Sequence, residues 1–325
     1  MEAATCCPAA EGRATERRRG LDAIICLGLI LVALLGYLRT MRPTFGWGDS
    51  SELITAAYHL GVGHSPGYPT WMLIMHPFSR IPVGDVAFRV NFMTALLGAV
   101  AVALLYLVYR TISGNRIAGF IAALTFAFAA TFWDQTTEAE VYTLHVCLAA
   151  TIMLIVLAWR STDNPRWLLL LSWVIGISLG NHALTALMIP AILYLVWAEK
   201  GRRYFTLRRV ATCSGLFLLG LSIYAYVPSR AMSNPPPHLN NPHSLVEMWA
   251  QLTAPGARQA MFDSGLLVPI KRGAFHTKRL LVEFGYFGCA LGLLGAGLLW
   301  RRDRKLSIFL ALIAGLDIAY SSNFS

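Results

Sequence analysis

Asp49 and Glu52 stand three residues apart in the stretch Gly46-Trp47-Gly48-Asp49-Ser50-Ser51-Glu52-Leu53-Ile54-Thr55, and His64-Ser65-Pro66-Gly67-Tyr68-Pro69 follows shortly after. On a helix that spacing puts both carboxylates on one face, where two acids can take a proton from an attacking hydroxyl. It is equally the spacing of a capping box, with Asp49 as N-cap and Glu52 folding back. The two roles are compatible, and spacing alone does not choose between them.

A second dense group of acids, Asp134, Glu138 and Glu140, lies in residues 132–142 of a chain that has only 17 acidic residues. Asp134 or Thr137 can simply cap the next helix. Glu140 falls at the start of an apolar run, a depth where an acid is costly and marks a functional site by default. Asn181-His182 separates two further apolar runs. A lone histidine is ordinarily structural, but this one meets the same face as the acids. Arg230, beside Pro228, offers a fork of donors suited to a phosphate. The pairs Lys271-Arg272 and Lys278-Arg279 read as contacts with anionic headgroups.

Long apolar runs must position these groups. The 325 residues are 56% hydrophobic and only 14% charged, against about 25% charged in a soluble domain. Runs at about 21–38, 90–109, 117–133, 143–159, 167–180, 183–198, 210–227, 282–300 and 306–321 approach the roughly 17–25 residues that cross a bilayer. The expected fold is all-α and integral to the membrane, a bundle of about nine transmembrane helices over 21–325. The polar residues 1–20, with Arg13, Arg17, Arg18 and Arg19, form a cytoplasmic tail, and 21–38 is an uncleaved first span rather than a signal peptide. An inside N-terminus puts 17 of the 27 basic residues on inner segments and 10 on outer ones, mostly in long loops. That orientation places Asp49, Glu52, Glu140, His182 and Arg230 on one outer or luminal side.

Two long outer segments result. Residues 39–88 hold the acidic motif and two amphipathic pieces near 52–61 and 70–80, broken at Pro66-Gly67 and Pro69 and lying along the membrane surface. Residues 228–281 begin too rich in proline for a helix, with an amphipathic helix over 244–262. Asp317, inside the last run, is expected as another buried acid.

Several function classes drop out. The net charge of +10 sits at the ends of apolar runs and not on a soluble face, so nucleic acid is not a partner. The six cysteines have no metal-ligand or framework spacing. No P-loop, GxGxxG, HExxH or GxSxG pattern is present. Outside the cytoplasm there is neither ATP nor nucleotide sugar, so group transfer there draws on a lipid-linked donor. No metal cofactor is required, although a carboxylate cluster can hold a divalent ion.

The run GWGDSSELITAAYHLGVGHSPGYP, with Arg89-Val90-Asn91 after it, resembles the signature of a family of polytopic endoplasmic-reticulum protein O-mannosyltransferases that act on plexin-type IPT domains. Ala139-Glu140-Val141-Tyr142, Gly180-Asn181-His182 and Tyr226-Val227-Pro228-Ser229-Arg230 look like later elements of the same pattern, so the likeness runs from about residue 20 to about 260. Two departures stand out. Leu239-Asn240-Asn241-Pro242 replaces a Trp-Gly-Asp element, and the family continues beyond residue 325, so the chain reads as a fragment.

The resemblance implies a type C glycosyltransferase (GT-C) bundle with a catalytic acid in the first outer loop and a polyprenyl-phosphate sugar as donor. It makes Asp49 the base and Glu52 its partner. His64, Tyr68, Glu140, His182 and Arg230 are expected to bind substrate, Arg230 at the leaving phosphate. The expected reaction is inverting transfer of a hexose, mannose by the resemblance, to a protein or glycan hydroxyl. Compact loops favour a bacterial inner membrane with the site facing the periplasm, or the luminal face of the endoplasmic reticulum in a eukaryote. The rival expectations are a transporter or lipid flippase with Glu140, His182 and Asp317 as a proton relay, and a scaffold in which Asp49 and Glu52 only cap a helix.

Overall fold

The structure, a computed structural model, describes residues 8–235, 242–253 and 267–323. Every described element is helical, as the apolar runs require: a span must satisfy its backbone internally. In order these are α1 (Pro8–Thr40), α2 (Ser50–His59), α3 (Pro69–Ser79), α4 (Val86–Ser113), α5 (Arg116–Ala127), α6 (Ala130–Thr136) and α7 (Tyr142–Thr162). Then come α8 (Arg166–Leu179), α9 (Met188–Lys200), α10 (Leu207–Leu221), α11 (Tyr226–Met232), α12 (Leu245–Thr253), α13 (Leu267–Arg302) and α14 (Arg304–Asn323). Short 3-10 turns join α8 to α9 and α10 to α11.

Seven of the described helices are long and apolar enough to cross a membrane, and eight if α5 and α6 count as one span bent by 66°. The expected nine runs are all helical, yet two are not simple spans. The third breaks at Phe128-Ala129, and the fifth, α8, has only 14 residues. Helix α1 begins at Pro8, within the basic tail, and its apolar span runs over Gly20–Thr40. A further correction concerns Pro228, which was expected to prevent a helix. It lies in the first turn of α11, where a missing N–H costs nothing. Of the amphipathic stretch expected at 244–262, residues 245–253 form α12. The remainder of it, and Leu239-Asn240-Asn241, lie outside the described residues. Asp317 is exposed on α14 and not buried.

Helix α4 is the centre, packed against α1, α5 and α7, while α8 packs on α10 and α9 on α14. Where α8 crosses α10 the contact is backbone on backbone. A Cβ on Gly176 would sit 2.3 Å from the Phe217 carbonyl oxygen, and one on Gly220 would sit 2.3 Å from that of Trp173. Small residues of this kind let membrane helices approach closely. The amphipathic α2 and α3 are not loose on a surface, since Leu53, Ala57, Trp71, Met72 and Met75 are buried with α4 and α7 in one core.

One end of the bundle is tied by ion pairs. Asp22 on α1 meets Arg110 at 2.9 Å and Arg116 at 2.7 Å, and accepts from the Tyr106 hydroxyl at 2.8 Å. Arg160 on α7 bridges Glu199 at 2.7 Å and Asp303, while Lys305 reaches Glu199 at 3.1 Å. The up-and-down course of α1, α4, α7 and α9 sends Asp49, Glu140 and His182 to the other end.

Candidate active site

At that other end Gly48 turns the chain with φ +68° and Asp49 becomes the N-cap of α2. Its side chain caps nothing, and Glu52 does not fold back to it. Glu52 Oε1 instead accepts from the His64 backbone N–H at 2.5 Å, and its Oε2 lies 3.4 Å from His64 Nδ1. The capping box is therefore not formed, and both acids are left to the imidazole. On the other side of the ring, Nε2 lies 3.5 Å from Asp49 Oδ2 and 2.8 Å from the Tyr68 hydroxyl. One imidazole thus stands between two carboxylates, presenting a different nitrogen to each.

The turn from His64 to Pro69 makes this possible. Gly67 donates its N–H to the His64 carbonyl at 2.7 Å and takes φ +95°. Tyr68 follows with φ +46°, uncommon for a residue with a Cβ. Pro69 then opens α3 with its φ already helical. Left-handed backbone at a non-glycine residue costs about 1–2 kcal/mol and persists where the surroundings hold it in place. Here it sets the Tyr68 ring edge-on to His64, with centroids 5.0 Å apart.

Three side chains hold the segment before the turn. Gln251 of α12 donates to the Gly63 carbonyl at 2.7 Å, and the Tyr226 hydroxyl to that of Gly61 at 2.7 Å. Arg230 donates from Nε to the Leu60 carbonyl at 2.7 Å and from Nη2 to that of His59 at 3.3 Å. It thus closes the C-terminal end of α2, a ten-residue helix of about 15 Å away from Asp49.

Helix α3 links this group to the two later motifs. Trp71 Nε1 donates to the Glu140 carbonyl at 3.1 Å, and Thr70 Oγ1 donates to that of Ile177 at 2.7 Å. Buried Asn181 donates to the Val141 carbonyl at 3.2 Å. His182 is thereby placed over Tyr68, ring centroids 6.4 Å apart and nearly parallel, with Tyr142 and His145 each 5.3 Å away. Its Nδ1 accepts from the Leu184 N–H at 3.2 Å, so the proton of the neutral ring is on Nε2. Glu138 pairs with Arg42 at 2.8 Å and pins the loop that leads to Asp49.

The structure therefore brings Asp49, Glu52, His64, Tyr68, Glu140 and His182 to one rim and sets Arg230 at its margin. Tyr142 and His145 belong to the same cluster but were not singled out from sequence. Their spacing of three on an apolar helix was the available signal.

The charges are unequal. The Glu52 carboxylate beside it raises the His64 pKa above the ordinary value against the opposing effect of burial. Burial would raise Glu52, but the neighbouring His64 ring and N–H outweigh it and hold the carboxyl below its usual range. Burial lifts Glu140 to about 7, and the Asp49 and Glu138 charges add to that. Burial keeps His182 neutral, its pKa lowered to about 3. Asp49 is the open acid, its side chain 58% exposed.

Among the described residues, Asp49, Glu52 and His64 form a group that could hold a metal ion, with ligand atoms within 4.8 Å of one another. Because His64 turns Nε2 to one acid and Nδ1 to the other, an ion between the acids would meet a single ring nitrogen. The arrangement suits proton movement without rearrangement.

Residues 49–204 match the family described as protein O-mannosyl-transferase TMEM260 N-terminal domain, a match that begins at Asp49 itself. The chain is 24% identical over 308 residues to protein O-mannosyl-transferase tmem260 of Dictyostelium discoideum, covering 84% of this chain and 36% of that protein. It is 34% identical over 198 residues to protein O-mannosyl-transferase TMEM260 of Mus musculus, covering 58% of this chain and 28% of that protein. The chain thus spans about a third of the length of these curated relatives. No solved structure matches it. The resemblance to a protein O-mannosyltransferase family read from the sequence holds in both comparisons.

Proposed function

We propose, from the match of residues 49–204 to the protein O-mannosyl-transferase TMEM260 N-terminal domain, that this chain carries the catalytic rim of a membrane glycosyltransferase of type C architecture. It moves a hexose, mannose, from a polyprenyl-phosphate donor to a serine or threonine hydroxyl of a protein. The reaction takes place on the membrane face turned away from the cytoplasm, periplasmic in a bacterium and luminal in the endoplasmic reticulum.

The acceptor oxygen bonds to the anomeric carbon as the bond from that carbon to the phosphate oxygen breaks, and the configuration inverts. The bonding pair leaves with polyprenyl phosphate, and the hydroxyl proton passes to Asp49. His64 lies 3.5 Å from Asp49, and the neighbouring Glu52 raises its pKa, which favours the cationic ring. It balances negative charge gathering at the reacting centre and can relay the proton onward. Glu140, protonated up to about pH 7, can donate a hydrogen bond to a sugar hydroxyl, and His182 offers Nε2–H beside the Tyr68 ring. Arg230 fixes the end of α2 through Nε and Nη2 and is the group assigned to the leaving phosphate.

The observation that carries this reading is the convergence of an exposed acid, Asp49, with Glu52 and His64, near half-buried Glu140. The test is incubation of purified protein with labelled polyprenyl-phosphate mannose and a serine- and threonine-bearing acceptor domain. Wild type should place covalent label on the acceptor, and Asp49→Asn should fold and place none. Near-normal turnover by Asp49→Asn sinks the assignment, and label crossing the membrane without bonding to acceptor favours the flippase.

A further inference from the structure

At the end of the bundle remote from Asp49, an open pocket of about 510 Å³ is lined by Arg110, Thr111, Gly114, Asn115, Arg116 and Ile117. Its floor is the turn between α4 and α5. Gly114 closes α4 with φ +72°, and Asn115 caps α5 by accepting from the N–H groups of Ile117 and Ala118 at 2.8 and 3.1 Å. Arg302, from the end of α13, donates to the Ser113 carbonyl at 3.3 Å and reaches to Gly114. Among the described residues three guanidinium groups meet at the pocket, and the Asp22 carboxylate pairs with two of them, Arg110 and Arg116.

The direction of the pocket narrows the ligand. Ile117 is 72% exposed, Phe120 39% and Ile121 58%, and these residues form an apolar stripe along α5 that starts at the pocket mouth. A soluble phosphate has no use for such a stripe. A lipid places its headgroup at the end of a span and its acyl chains along the helix below. Basic pockets between transmembrane helices are a recurrent means of holding anionic headgroups.

We propose that this pocket binds the phosphodiester headgroup of an anionic phospholipid, with the acyl chains on Ile117, Phe120 and Ile121. The site is separate from the catalytic rim. Arg110 lies 19 residues along α4 from Asn91, whose amide donates at 2.9 Å to the Arg42 and Thr44 carbonyls in the loop before Asp49. That is close to 30 Å, of the order of a hydrocarbon thickness.

The test uses the full chain in neutral detergent, titrated with phosphatidylglycerol or phosphatidylcholine in mixed micelles and read by native mass spectrometry of retained lipid and by thermal midpoint. Wild type should retain phosphatidylglycerol in preference and be stabilised by it. Arg302→Gln should weaken that preference about fivefold. Thr111→Leu, which fills the pocket without touching the Asp22 pairs, should weaken it independently. Equal retention of the two lipids, an unchanged preference in both variants, or full reproduction of the effect by inorganic phosphate would each overturn the proposal.

Discussion

The two ends of this bundle treat their acids in opposite ways. At one end Asp22, Glu199 and Asp303 each meet an arginine, and the pairs join α1 to α4 and α5, and α7 to α9 and to the start of α14. At the other end Asp49 and Glu52 share a single imidazole, and Glu140 stands half-buried near them with no ion pair among the described residues. A helix bundle in a membrane needs its charges matched if stability is the sole concern. The unmatched end is where the chain accepts a cost, and such sites are where chemistry is to be sought.

Substitutions that remove one charge should therefore behave differently at the two ends. The largest effect is on rate. Asp49→Asn should lower mannosyl transfer by about a thousandfold, while the thermal midpoint stays within a few degrees of wild type. A matching loss of stability would make Asp49 a structural residue and erase the contrast. Next comes Arg160→Met, which strands Asp303 and leaves Glu199 with Lys305 alone. It should cost about 3 kcal/mol in chemical denaturation and leave turnover per folded molecule unchanged.

Glu140→Gln provides the sharper comparison because its sign is reversed. Burial raises the Glu140 pKa to about 7 from its ordinary value near 4.5, so the folded state favours the protonated acid. The stability this brings is complete below about pH 4.5 and is lost as pH rises through 7. Glutamine avoids that loss. The variant should be about 2 kcal/mol more stable than wild type at pH 8 and equal to it at pH 4, whereas Asp22→Asn should be destabilising throughout neutral pH. The smallest effect is expected at His64. Wild-type activity should decline as pH rises through the raised imidazole pKa, and His64→Gln should lower kcat about tenfold and remove that decline. An unaltered pH profile would assign His64 a purely positional role.

What could be read in the sequence follows the range of each interaction. Asp49, Glu52, His64 and Tyr68 lie within 20 residues and local turn chemistry draws them together, so their grouping was legible, though the distant Gln251, Tyr226 and Arg230 that hold the segment were not. Glu140 and His182 could be assigned to the same side from span counting, but not to the same cluster. That depends on Trp71 and Asn181 bonding to backbone carbonyls far along the chain, which no spacing records. Arg230 was legible only in part. An arginine beside a proline-rich turn suggests an anion, and the bonds its guanidinium makes to the carbonyls of His59 and Leu60 are ones that no spacing records. The spans were legible as apolar runs. The bend between α5 and α6 was not, because apolar composition continues through it.

The brevity of α8 has a consequence for how a substrate arrives. Its 14 residues rise about 21 Å, some 9 Å less than a typical hydrocarbon layer. Asn181 and His182 follow directly at its tip. On the proposed lipid-linked donor, a helix that stops short there leaves the sugar less far to rise from the leaflet, and the acceptor hydroxyl comes from the aqueous side.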